Sequence, residues 1–384
     1  VRATTDTDPR DSALLDTVEL FRRFAGLKGQ LPWVVLGNWP TRVQRLEQLE
    51  GELGHGPLFV KREDESSPIF GGNKIRTLEG HFGRALAEGA HEIWSTGAYG
   101  TNHGLAAVMH APRVGLGSGS ILFPQPATET ACGNLRASLA TGAPILRLRT
   151  PVTLPLGVVR TRLGSARRRY IMAPGGATPT GSLGHVSAAL ELARQVEDGE
   201  LPAPRIIVIA VGSTCTSAGL TVGLCLAERL GIGFGAGKAP RPLLHAVRVT
   251  PWPITSSTAI AWLAERTSRA LAALVGDVAR FSRRELRQAF RVDGRFFAGG
   301  YGRPLEQGPP AREQFLASDG PPLDEVYSQK SGAAFVALAR AHAPAPLLFW
   351  ATRTSAILPQ PSPRQLDEAP RALKRWLERP RLRA

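Results

Sequence analysis

Lysine is scarce in this chain: six residues, at positions 28, 61, 74, 238, 330 and 374, stand among 47 basic side chains. Bulk positive charge is therefore carried by arginine, and charge balance alone does not account for the lysines that remain. A guanidinium stays protonated and does not attack an aldehyde, whereas a lysine amine does. Lys74, within Gly71-Gly72-Asn73-Lys74-Ile75-Arg76-Thr77-Leu78-Glu79, is thereby a candidate for chemistry. Cysteine is also rare. Cys132, Cys215 and Cys225 are odd in number and lack a CxxC or histidine-rich setting, which excludes a disulfide framework and a zinc site and points to small buried residues.

Long apolar runs are missing too, since none approaches the roughly 20 residues that span a bilayer. The start of the sequence, Val1-Arg2-Ala3-Thr4-Thr5-Asp6, has no apolar core of the signal-peptide kind, so a cytoplasmic location is expected, with no membrane partner. Neither GxGxxG nor GxxxxGK[ST] occurs, which removes the two commonest glycine-rich nucleotide loops. No internal repeat is evident.

What is present is a 384-residue chain, 43% hydrophobic, large enough for two lobes. Its formal net charge is +15, but the densest arginine clusters, Arg167-Arg168-Arg169 and the run from Arg371 to Arg383, have no interleaved aromatics or reading helix. A solvated arginine-rich surface is expected, with no nucleic-acid partner. Short apolar segments at 93–95, 120–123, 145–148, 206–211, 244–249 and 347–350 read as buried strands. Helical spacing of apolar residues occupies 184–196 and 218–230. Strand and helix in alternation predict an α/β protein with mainly parallel sheets covered on both faces. Residues 151–169 carry neither pattern and read as a surface connection.

A strand ending at Val211 runs into Gly212-Ser213-Thr214-Cys215-Thr216-Ser217 and then a helix. Backbone N–H groups and hydroxyls there converge on an anion at a helix N-terminus. Read alone, the same loop also suits a polar helix cap.

Taken with Ser95-Thr96-Gly97-Ala98-Tyr99-Gly100-Thr101-Asn102-His103 and Asp324-Glu325-Val326-Tyr327-Ser328-Gln329-Lys330, the Lys74 and Gly212 segments resemble those of the pyridoxal phosphate (PLP) enzymes of the tryptophan-synthase β-like fold, fold type II. Within that superfamily the chain is most similar to the D-cysteine desulfhydrase and 1-aminocyclopropane-1-carboxylate (ACC) deaminase group. Supporting segments are Leu31-Pro32-Trp33, Phe59-Val60-Lys61-Arg62-Glu63-Asp64, Ala173-Pro174-Gly175-Gly176 and Gly300-Tyr301-Gly302-Arg303-Pro304, and the resemblance covers roughly residues 30 to 360.

The resemblance implies two lobes, each with a mainly parallel sheet: a larger cofactor-binding lobe of residues 1–76 and 191–384, and a smaller inserted lobe of 77–190. It implies a homodimer with pyridoxal 5'-phosphate as cofactor and a small amino acid as substrate. Lys74 would carry the cofactor covalently and move a proton. Gly212, Ser213, Thr214, Cys215 and Thr216 would hold its phosphate, and Asn102 its phenolic oxygen. Thr101, Asn102 and His103 would take the substrate carboxylate, and Tyr301 and Tyr327 would approach the reacting atoms. Ser328 would face the pyridine nitrogen. Deaminase relatives have a carboxylate there and desulfhydrases a hydroxyl, which favours elimination of a β substituent such as sulfide over ACC ring opening. Relatives have more glycine where Thr214 and Cys215 stand, and a glycine-rich turn where this chain has Ala351-Thr352-Arg353-Thr354-Ser355. Arg353 is then either solvent-facing or an anchor for a second acidic group. Racemase, β-replacement and catalytically lapsed homologues are the remaining alternatives.

Overall fold

The structure, a computed structural model, describes residues 13–235 and 237–382. Val1 to Asp6 and Arg383 lie outside the described residues. Ten strands form two separate sheets. The larger contains β1 (Val43–Arg45), β2 (Leu58–Lys61), β7 (Ile206–Val211), β8 (Leu243–Arg248), β9 (Phe290–Asp293) and β10 (Leu347–Trp350), in the order β1-β2-β10-β7-β8-β9. Only the β1–β2 pairing is antiparallel. The smaller is wholly parallel, β5-β4-β3-β6, from β3 (Glu92–Ala98), β4 (Gly117–Phe123), β5 (Ile145–Arg147) and β6 (Arg169–Ile171). Central strands such as Ile206–Val211 and Leu347–Trp350 are nearly all apolar because helices cover both faces.

The helices that matter for the site are α1 (Lys74–Ala87), α2 (Asn102–His110), α3 (Glu129–Ala140), α4 (Leu154–Leu163), α5 (Pro179–Glu197), α6 (Cys215–Leu230), α7 (Ser257–Val275), α8 (Ser328–Arg340) and α9 (Arg371–Leu377). The main core joins Leu78 and Phe82 of α1, Val186 and Leu190 of α5, and Leu220 and Val222 of α6, all 3% exposed or less. Each such side chain contributes about 1.5–3 kcal/mol by leaving water. The division at 76/77 and 190/191 read from the sequence falls inside α1 and α5, helices that pack in this shared core.

Residues 151–169 are not the irregular connection expected from the sequence: α4 and the start of β6 lie within them. The helix buries Gly157 and Thr161 and packs Leu154 and Val158 against Ile121 and Leu148, while Leu156, Val159 and Leu163 face outward. Apolar residues on both faces leave no helical periodicity to detect. Among the described residues no helix is long and apolar enough to cross a membrane.

Candidate active site

The C-terminal ends of seven parallel strands converge on one cavity of about 380 Å³. Its wall is built just past each strand: Thr101 and Asn102 after β3, Phe123 to Pro126 at the end of β4, Pro151 after β5, Pro174 and Gly175 after β6, Gly212 to Ser217 after β7, Thr250 to Ile254 after β8, and Thr352 after β10. Ligands of open α/β sheets bind at this end, where loops rather than ladders determine what is presented.

Lys74 begins α1 and lines the cavity. Gly72 just before it adopts φ +93°, and a Cβ there would stand 2.7 Å from the Thr352 carbonyl, so the turn requires glycine. Asn73 donates its Nδ2 to Thr216 Oγ1 at 2.8 Å, joining this turn to the loop after β7. Three lysines are enclosed by the fold, and their surroundings separate them. Lys61 is spent on Glu191, Gln195 and the Thr41 carbonyl. Lys330, its amine pushed down to about 8 by burial, donates to the Phe297 and Gly300 carbonyls and so ties α8 to the Tyr301 turn. Among the described residues, nothing forms a hydrogen bond or ion pair with the Lys74 amine. Burial lowers its pKa below the usual lysine range, opposed by Cys215.

Thr214 precedes α6 in the left-handed region, at φ 68°, with no side chain capping the helix. The first-turn N–H groups are thereby left for an anion. A β-branched residue at positive φ is strained. We expect Thr214→Gly to stabilise the protein by about 1 kcal/mol after allowing for the greater chain entropy of glycine. A thermal melt should rise by about 2 °C; an unchanged or lower value would show the strain to be absent. Thr216 Oγ1 also meets His185 Nε2 at 3.3 Å, and Thr77 Oγ1 meets the same nitrogen at 2.9 Å. The Cys215 thiol donates to the Gly176 carbonyl at 3.3 Å, and burial pushes its pKa up.

Thr101 caps α2 by accepting from the Gly104 N–H. Asn134 on α3 donates its Nδ2 to Asn102 Oδ1 at 2.7 Å and to the Gly100 carbonyl at 2.9 Å. That fixes the Asn102 amide with its oxygen occupied and its NH₂ left to donate. His103 is 1% exposed and lines the cavity, and both ring nitrogens lack a partner among the described residues. Burial, then the Lys74 and His81 charges, hold its pKa well below the ordinary histidine value, so the ring is neutral.

Tyr301 and Tyr327 face the cavity with their hydroxyls in contact. Burial pushes Tyr301 up to about 12 and Tyr327 well above the ordinary phenol value. Both are proton donors at neutral pH, and neither is a base. Tyr327 is positioned by its N–H donating to Asp324 Oδ1 at 2.7 Å. Ser328 differs from the other candidates. It is 1% exposed, does not line the cavity, and is engaged with Asp324, accepting from that residue's N–H at 2.6 Å and donating to Oδ2 at 2.8 Å. Thr352, not Arg353, reaches the cavity wall.

The sequence reading thus named Lys74, Thr101, Asn102, His103, Gly212 to Thr216, Tyr301 and Tyr327, all of which the fold brings to one cavity. It assigned no role to Asn73, Asn134, His185 or Asp324. Asn73 and Asp324 lie inside quoted segments, but a hydrogen-bond partner 143 residues away, as for Asn73 and Thr216, leaves no local signal.

An unpaired amine and an uncapped helix terminus in one cavity, where the strand ends of two mainly parallel sheets meet, are the arrangement of a class, the fold type II PLP enzymes. The chain belongs to the pyridoxal-phosphate dependent enzyme family, whose pattern matches residues 34–291. It is 30% identical over 318 residues to D-cysteine desulfhydrase of Klebsiella pneumoniae subsp. pneumoniae, covering 80% of this chain and 88% of that protein. It is 35% identical over 204 residues to nocardicin C-9' epimerase of Nocardia uniformis subsp. tsuyamanensis, covering 52% of this chain and 61% of the epimerase. A solved ACC deaminase homologue superposes with TM-score 0.68 at 27% identity, over 86% of this chain and 94% of that one. The residues present fit the cofactor. The unpartnered buried nitrogens of His103, the free Lys74 amine and the uncapped α6 are what such a group requires.

Proposed function

We propose that this PLP enzyme is a lyase that removes the β substituent of a small amino acid, D-cysteine being the leading substrate. One molecule each of D-cysteine and water would become pyruvate, ammonia and hydrogen sulfide. The observation that carries the reading is that one cavity is lined both by the unpaired Lys74 amine and by the Tyr301 and Tyr327 hydroxyls, which touch each other and whose pKa values burial pushes up.

The cofactor, when bound, supplies an electron sink for the bonds at the substrate Cα. The chain's own residues do the rest. Lys74 anchors the cofactor and, once released, takes the Cα proton, which its depressed pKa favours. The first-turn N–H groups of α6, with Ser213 and Thr216, hold the phosphate. Asn102, with its oxygen occupied by Asn134, offers its NH₂ to the phenolic oxygen, and Thr101 and His103 orient the carboxylate. Tyr301 and Tyr327 deliver a proton to the departing sulfur.

ACC ring opening is the second reading. It is supported by the likeness to the solved ACC deaminase homologue. The family resemblance further supports a cytoplasmic homodimer, with lobes of 1–76 plus 191–384 and of 77–190. Assays of sulfide, pyruvate and 2-oxobutyrate with D-cysteine, L-cysteine and ACC test the reading. Sulfide and pyruvate in equal amounts from D-cysteine are expected; 2-oxobutyrate from ACC without sulfide from cysteine would overturn it.

A further inference from the structure

The cavity of about 380 Å³ is lined not only by the polar candidates but also by Phe123, Pro124, Pro126, Pro151, Pro251 and Ile254. Asn102 follows β3; Phe123 and Pro126 belong to the end of β4, the adjacent strand, and Pro151 follows β5, one strand further out. Strand spacing puts the ends of β4 and β5, from which these residues follow, about 5 and 10 Å from the β3 end. On the opposite side, Pro251 and Ile254 follow β8, one strand out from the loop after β7. A cysteine side chain ends two bonds from Cα and fills little of such a cavity. Of the lining residues, Ile254 is 58% exposed, and Trp252 and Val152, next in sequence to the lining residues Pro251 and Pro151, are 74% and 84% exposed. Large apolar side chains left in water at a cavity mouth mark a binding surface.

One polar group interrupts this wall. Gln125 is 8% exposed and lines the cavity, and its Oε1 has no hydrogen-bond partner among the described residues. Its backbone is held from behind, where Trp376 of α9 donates Nε1 to the Gln125 carbonyl at 2.8 Å and stacks edge-on against Tyr99 at 5.3 Å. The loop is therefore rigidly positioned while its carboxamide remains unspent. A buried amide without a partner is costly unless something that binds there satisfies it.

Building on the elimination reading above, we infer that the preferred substrate carries a bulky apolar β substituent bearing one hydrogen-bonding group. The substituent runs between the edge of the smaller sheet and the loop after β8 and meets Gln125. With S-benzyl-cysteine as the probe, the Cα–H and Cβ–S bonds break, the sulfur leaves with a proton as phenylmethanethiol, and water converts the remainder to pyruvate and ammonia.

The test compares cysteine, S-benzyl-cysteine and S-(4-hydroxybenzyl)-cysteine, each as both enantiomers, on the holoenzyme by pyruvate release and by calorimetric binding. S-benzyl-cysteine should bind about tenfold or more tightly than cysteine, the gain expected from burying a phenyl ring. Ile254→Glu should abolish that advantage. The hydroxyl should add about fivefold in the native protein and nothing in Gln125→Leu. Cysteine bound and turned over as well as S-benzyl-cysteine would overturn the inference and leave the lyase reading standing. Tight binding of S-benzyl-cysteine, lost in Ile254→Glu, with no pyruvate from any compound would support the inference and overturn the lyase reading.

Discussion

Lys74→Ala protein mixed with PLP will lack the visible absorbance band that the native protein acquires, and its lyase activity will fall by on the order of 10⁴-fold or more, the scale of losing a covalent nucleophile. The expectation rests on the contrast between three enclosed lysines. Lys61 and Lys330 hold carbonyls and carboxylates, and only Lys74 presents an unpaired amine to the cavity. Lys330→Met serves as the comparison. It disturbs the Tyr301 turn but leaves the Lys74 amine in place, so the band should persist. A band retained in Lys74→Ala would remove this residue from the mechanism. Its absence from the native protein as well would mean that the fold is kept without the chemistry.

Glu191→Ala is expected to cost about 3–5 kcal/mol in denaturant unfolding, the range found when one partner of a buried charge network is removed. Glu191, on α5, accepts from Lys61 Nζ at 2.6 Å and from Arg76 Nη2 at 2.9 Å. Arg76 also pairs with Glu63 at 2.7 Å, and Thr41 Oγ1 donates to Glu63 Oε1 at the same distance. All four charged groups are buried, so deletion of the Glu191 carboxylate leaves Lys61 with no carboxylate partner and Arg76 with Glu63 alone. Arg76 stands two residues beyond Lys74 on α1, and the network therefore fixes the helix that carries the Lys74 amine. Burial pushes the Glu191 carboxyl up, but Arg76 and then Lys61 outweigh it and hold the pKa below the ordinary value of 4.5. Its stabilising contribution is therefore present above that value and lost as the pH falls through the folded-state pKa. Adding Lys61→Met to Glu191→Ala should recover part of the loss; no recovery would show that packing, and not charge, holds α5 in place.

Much of the site was legible because its parts are short and local. The turn before Lys74, the loop from Gly212 to Thr216 and the Thr101-Asn102-His103 segment each depend on residues adjacent in the chain, and glycine and hydroxyl residues mark such places. The α4 helix was not legible, because its outward Leu156, Val159 and Leu163 erase the polar face by which a surface helix is recognised. Ser328 shows a different limit. Its position in the chain follows the family pattern, but its hydroxyl is taken by Asp324, and only packing at the start of α8 decides where a side chain with several rotamers makes its bonds.

The sequence by itself determined the class of protein: a parallel α/β chain with a scarce lysine in a glycine turn, an anion loop at a helix start, and two tyrosines in matched segments. Tertiary structure alone decided which lysine is free, that burial pushes both phenols up, that Asn134 turns the Asn102 amide, and that Gln125 joins the cavity wall with its Oε1 unpartnered among the described residues. The division has one physical cause. Backbone conformation is set by neighbours along the chain, whereas protonation, hydrogen-bond pairing and cavity shape are set by residues that are distant in sequence and meet only when the two sheets assemble.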